Sequence, residues 1–109
     1  MSDERRKNKR VPILVEVQWE GTAGRYQART TDVSERGCFV DSVGHALDGE
    51  HIKFKLRLPN GEWLDIEGDV TFTDPRIGFG VQFSEMSDED QKKLQLLVKA
   101  RSYDEEKKL

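Results

Sequence analysis

The chain has little of what most enzymes and secreted domains use. Cys38 is its one cysteine, so no internal disulfide can form, which fits a reducing compartment. Its two histidines, His45 and His51, have no partner cysteine at metal-ligand spacing. No stretch approaches the roughly 18 apolar residues of a membrane-spanning helix. The charged N-terminus has no apolar segment behind it and does not read as a signal peptide. These absences make the cytoplasm the expected location, without membrane insertion. No glycine-rich phosphate loop opens a helix. Ser34 has no nearby histidine to make it a nucleophile, and Cys38 sits in the apolar run Cys38-Phe39-Val40, as a core residue does. No catalytic residue, metal or cofactor is expected. Positive charge is also in short supply. The net charge is −3, so there is no broad basic face for long nucleic acid.

The cations that are present are concentrated. Arg5, Arg6, Lys7, Lys9 and Arg10 crowd the first ten residues against Asp3 and Glu4, and the rest of the chain is correspondingly acidic. Such a local cluster suits a small anionic ligand. The arm has few apolar side chains, so it is expected to be mobile until a ligand locks about residues 5–10. Fixing each residue costs about 1–2 kcal/mol of backbone entropy.

With 109 residues the chain reads as one domain. A domain of this size buries about 60–70% of its unfolded surface, enough for a core without staples. Val11, Ile13, Val15, Val17 and Trp19 alternate with more polar neighbours, the mark of a half-buried strand. Tyr26 to Thr31 reads as the returning strand, followed by Cys38-Phe39-Val40. A helical turn is expected near Val43 to Leu47. Ile52, Phe54, Leu56 and Leu58 alternate next, and Asn60-Gly61 signals a hairpin. Leu64, Ile66, Val70 and Phe72 continue the inward pattern, which leaves Thr71 outside. Ile77, Phe79, Val81 and Phe83 form the last strand, interrupted by Gly78 and Gly80. Ser87 and the acidic residues Asp88, Glu89 and Asp90 open a helix with Leu94, Leu97 and Val98 on one face. About six short one-sided strands are best satisfied by a closed antiparallel barrel with the helix over a mouth or flank. The expected organisation is a basic arm (1–10), a barrel plus helix (11–101) and a polar tail (102–109).

Two local patterns stand out. One is Arg6-Lys7-Asn8-Lys9-Arg10, extended by Arg5; the other is Asp32-Val33-Ser34-Glu35-Arg36-Gly37. Alone, the first is an ordinary solvated tail and the second an ordinary turn. Together and in this order they resemble the PilZ domain family of bacterial cyclic di-GMP receptors. That family pairs Arg-x-x-x-Arg in an N-terminal arm with (Asp/Asn)-x-Ser-x-x-Gly on a barrel. Arg10-Val11-Pro12 and Gly78-Phe79-Gly80-Val81-Gln82-Phe83 resemble its first-strand entry and its last strand, so the likeness runs from about residue 4 to residue 100.

The resemblance implies a mainly all-β fold, a six-stranded antiparallel β-barrel of PilZ type with a C-terminal α-helix. It implies second-messenger signalling without catalysis. Cyclic di-GMP would be the ligand, and a downstream protein the reader of the bound state. Arg6 and Arg10 are the implied ligand residues in the arm, with Arg5 a third, and Asp32, Ser34 and Gly37 those on the barrel. An arginine fork suits the O6/N7 edge of guanine or a phosphate. A carboxylate takes the guanine N1–H and N2–H, a serine hydroxyl both donates and accepts, and a glycine lets the backbone turn or approach closely. Some family members present a bulky side chain to the ligand from the strand before the last hairpin. By alternation, Thr71 stands there in this chain. Two other readings are a PilZ-like adaptor with little nucleotide binding and a small nucleic-acid-binding barrel. The acidic body and the inward placement expected for Phe54, Phe72, Phe79 and Phe83 argue against the last.

Overall fold

The computed structural model describes residues 10–22, 24–42 and 46–107, the side chains of 103–107 excepted. The expectations for Arg5, Arg6 and the arm up to Lys9, for His45 and for a helical turn beginning at Val43 lie outside these residues.

The strands are β1 (Val11–Pro12), β2 (Glu16–Gly21), β3 (Gly24–Val33), β4 (Gly37–Asp41), β5 (His51–Arg57), β6 (Trp63–Asp74) and β7 (Gly78–Met86). One helix, α1 (Asp88–Lys107), follows. The single strand expected from Val11 to Trp19 is two pieces. Both pieces pair with β3, but the register shifts by one residue between them, around buried Thr30, whose hydroxyl donates to the Ile13 carbonyl (2.6 Å) and accepts from the Val15 N–H (3.2 Å). The inward face survives the break: Val11, Ile13, Val17 and Trp19 are all buried.

Every strand pairing is antiparallel, and the order β3-β2-β5-β6-β7-β4 closes on itself through β3 and β4. The result is a closed six-stranded barrel with β1 as an extra strand on β3. Closure leaves few unpaired edges. It also turns the alternating sequence of β5 into a clean partition, with Ile52, Phe54 and Leu56 buried and Lys53, Lys55 and Arg57 exposed. Trp19 anchors the interior. Its ring stacks on Tyr26 (4.7 Å) and meets Phe79 edge-on (5.0 Å), and its Nε1–H donates to Ser42 Oγ (3.0 Å).

Ser87 caps α1 by accepting from the Asp90 N–H (3.1 Å), and Asp88, Glu89 and Asp90 sit at the positive end of the helix dipole. Leu94, Leu97 and Val98 bury the helix against the barrel. The helix continues past Arg101 to Lys107, through a run of polar residues that includes good helix formers.

On the outer side of β5, His51 is clamped by two carboxylates of β6. Its ring nitrogens lie 2.8 Å from Glu67 and 2.9 Å from Asp69. These hydrogen bonds, Glu67 first and then Asp69, raise the imidazole pKa above its ordinary value of 6.5. A raised folded-state value stabilises the fold fully below about pH 6.5, and the contribution is lost as pH rises through the raised value. The melting temperature is therefore expected to fall across that window, and to fall less in His51→Gln. An identical pH slope in thermal melts of the two proteins contradicts the clamp.

Candidate functional site

The second sequence pattern folds into the corner between β3 and β4. Asp32 owes its position to a bulge. Pairing runs Thr30 to Val40 and then Asp32 to Phe39, so Thr31 is an extra residue on β3. Without it Asp32 would point inward. With it Thr30 and Val33 are buried and Asp32 stands on the outer face. Bulges re-aim side chains in this way beside binding sites.

Arg10, at the end of the basic arm, reaches this carboxylate. Its Nη1 donates to Asp32 Oδ1 at 3.0 Å across 22 residues of sequence. The contact follows from β1, where Pro12 pairs with Asp32 and Val11 with Val33, and Val11 is 1% exposed. The chain from Arg10 to Pro12 is thus fastened to the barrel beside the corner. The Arg10 and Asp32 side chains are 50% and 31% exposed, so the pair contributes about 0–1 kcal/mol to stability.

Ser34 and Gly37, the other two barrel residues that the motif implies for ligand, form the corner itself. Ser34 is buried, and its Oγ accepts from the backbone N–H of Arg36 (3.2 Å) and Gly37 (3.1 Å) and donates to the Gly37 carbonyl (3.2 Å). The hydroxyl is engaged in holding the turn. Ser34→Ala is expected to cost about 1–3 kcal/mol, because it strands N–H groups in a buried turn. A chemical denaturation midpoint equal to wild type contradicts that role. Gly37 is not among the described residues with positive φ. A Cβ there would collide with the Val81 carbonyl oxygen on β7, so glycine is needed for close strand packing rather than for an unusual turn.

Below the corner Cys38 is fully buried. Burial, and secondarily the charge of Asp32, pushes its thiol pKa up to about 12, so it stays a neutral core group.

The structure corrects the reading of β6. Phe72, expected in the core, is 47% exposed on the outer face. Pairing runs Val70 to Val81 and then Phe72 to Gly80, so Thr71 is another extra residue and the alternation reverses after it. Thr71 is outside as expected, but it is not the only bulky candidate on that strand. The Phe72 ring lies over Gly80, with Cε1 2.6 Å from where a Cβ would be, and comes within 5.6 Å of the Phe39 ring, centroid to centroid. The register then places Asp32, Phe39, Gly80 and Phe72 in one row across four strands. Sequence reasoning missed Phe39 and Phe72 as parts of this face. Gly80 was the available signal, since a glycine inside a strand often marks close approach by a neighbouring group.

A family model described as the PilZ domain matches residues 4–100. The chain belongs to the PilZ domain family. No curated protein matches it in sequence. Among solved structures, the PilZ fold recurs in Bacillus subtilis inhibitor of motility, MotI/DgrA (22% identity, TM-score 0.75, 95% of this chain and 53% of that one). It recurs in K. pneumonia MrkH in its apo state (16% identity, TM-score 0.73, 94% and 52%). It recurs also in the PilZ domain of YcgR from Escherichia coli, solved with c-di-GMP (12% identity, TM-score 0.71, 95% and 96%). The chain spans about half the length of the MotI and MrkH chains. At these identities the likeness concerns the fold. No helix among the described residues is long and apolar enough to cross a membrane.

A cavity of about 960 Å³ lies elsewhere on this PilZ domain, bordered by Gln18, Glu20, Lys53, Lys55, Asp65 and Glu67 among others, and it shares no residue with the corner.

Proposed function

We propose that this chain is a cyclic di-GMP receptor in which the basic arm and the β3–β4 corner clasp the dinucleotide. The observation that carries the reading is the Arg10–Asp32 contact, which joins the two sequence patterns at 3.0 Å. Family membership supports the ligand class, and the YcgR domain, similar in fold, was solved with c-di-GMP.

Asp32 is the acceptor for the N1–H and N2–H of a guanine. That pairing discriminates against adenine, which offers no matching pair of donors. Arg10 engages Asp32 through one terminal nitrogen, and the other donors of its fork remain for a guanine edge or a phosphate. Arg5 and Arg6 close over the ligand from the arm. Ser34 and Gly37 keep Asp32 in place. Phe72 supplies the bulky contact that some family members make from this strand. Closure of the arm changes the charge and shape of one barrel face, which a downstream protein reads. Binding needs no covalent step.

Calorimetric titration tests the reading. Cyclic di-GMP is expected to bind saturably, cyclic di-AMP much more weakly, and Asp32→Ala to narrow the difference between them. Equal affinity for the two dinucleotides contradicts the role of Asp32. A second reading, a protein-binding adaptor that barely uses nucleotide, is favoured by the same ion pair, because Asp32 already has a cationic partner. Absence of binding heat at every cyclic di-GMP concentration supports it.

A further inference from the structure

Arg29 stands on the outer side of β3 and is the last outward residue before Asp32, because the bulge at Thr31 separates them. It is exposed, and its guanidinium has no hydrogen-bond or ion-pair partner among the described residues, although Glu16 and Asp41 are its cross-strand neighbours. By contrast, Arg25 on the same strand pairs with Glu20 at 3.5 Å. Phe39 lies directly across from Asp32, and Arg29 lies across from Asp41, two residues further along β4. Arg29 and Phe39 are therefore diagonal neighbours on one face, a separation that long side chains span.

The face thus offers, in order, a carboxylate, an aromatic ring, a second aromatic ring meeting the first over a glycine, and on the border a cation with no partner among the described residues. Aromatic faces stack nucleobases, and an unpaired guanidinium suits a phosphodiester. Adjacent strands are about 4.8 Å apart, so a base whose edge meets Asp32 has its ring over Phe39.

We propose that the ligand site continues from the corner along this row: the guanine held at Asp32 lies against the Phe39–Phe72 ridge, and Arg29 holds a phosphodiester of the same dinucleotide. The proposal rests on the receptor reading above. It makes Phe39 and Arg29 ligand-binding residues and Gly80 a positioning residue, since a side chain at position 80 would displace the Phe72 ring.

Calorimetry of the full chain with cyclic di-GMP tests it, using wild type, Phe72→Ala, Phe39→Leu, Arg29→Gln and the control Arg25→Gln, together with the circular dichroism of the bound nucleotide at saturation. Phe72→Ala is expected to weaken binding roughly five- to a hundredfold and to change the nucleotide's dichroism, which a purely structural role would not do. Phe39→Leu changes the dichroism in the same sense. Arg29→Gln is expected to weaken binding roughly tenfold, to leave the dichroism unchanged and to make binding less sensitive to salt. Arg25→Gln stays within about twofold of wild type. If wild type binds while Phe72→Ala and Arg29→Gln match Arg25→Gln, the extended site is wrong and the corner stands. A loss in only one of the two also overturns the joint site. No binding by wild type removes the receptor reading and this extension with it.

Discussion

Replacing Arg10 with alanine is expected to weaken cyclic di-GMP binding by about 2–5 kcal/mol, at least roughly thirtyfold in affinity, while leaving the fold almost untouched. The separation of the two effects follows from the geometry. In the free protein Arg10 makes a half-exposed ion pair with Asp32, and such pairs contribute about 0–1 kcal/mol. In the proposed complex the same guanidinium would be shielded from water and oppose a phosphate or a guanine edge, where a charged hydrogen bond is worth far more. Calorimetry and thermal melting of the same Arg10→Ala sample check both halves. Near-unchanged affinity removes Arg10 from the site. A large drop in melting temperature would mean that the residue holds the barrel rather than the ligand.

Gly37→Ala is expected to do the reverse, with its main effect on the fold. Its Cβ would collide with the Val81 carbonyl, a backbone atom of the strand paired with β4. Backbone cannot swing aside as a side chain can, so β4 and β7 must separate where they complete the barrel. Overpacking of this kind costs about 1–3 kcal/mol, and each kcal/mol lowers the melting temperature of a domain this small by roughly 4–8 °C. Gly37 also shares two hydrogen bonds with Ser34, donating one from its N–H and accepting the other at its carbonyl, so the corner loosens with the sheet and ligand affinity is expected to fall secondarily. A melting temperature equal to wild type contradicts the packing argument.

Much of this architecture is legible in the sequence because alternation reports it directly. β5 alternates without interruption, and its buried and exposed residues fall where the pattern puts them. The Asn60-Gly61 turn and the Ser87 cap carry their own chemistry, and both appear at those positions, with Gly61 at φ 93°. The corner was legible for another reason: Asp32, Ser34 and Gly37 are turn residues at a spacing that matches a family pattern.

What alternation cannot report is where it slips. Thr31 and Thr71 are each one residue too many for the opposite strand, and nothing about a threonine announces this. The slip at Thr31 turns Asp32 outward, and the slip at Thr71 turns Phe72 outward. Both sides of the candidate site thus depend on register shifts that are decided by neighbouring strands and are invisible to a local window. The local bonds of Ser34 and the tight packing at Gly37 were likewise hidden. Whether a serine ties its own turn is not readable from the sequence; the bonds from Arg36 and Gly37 show that Ser34 does.

The most direct measurement is an amide NMR titration of the chain with cyclic di-GMP. If arm and corner clasp the nucleotide, the resonances that move are those of residues 5–10, of Asp32 through Gly37 and of Phe39, with Lys53 and Lys55 on the far side of the barrel unmoved. Shifts confined to the Lys53 and Lys55 face, or no shifts at saturating ligand, would contradict the account.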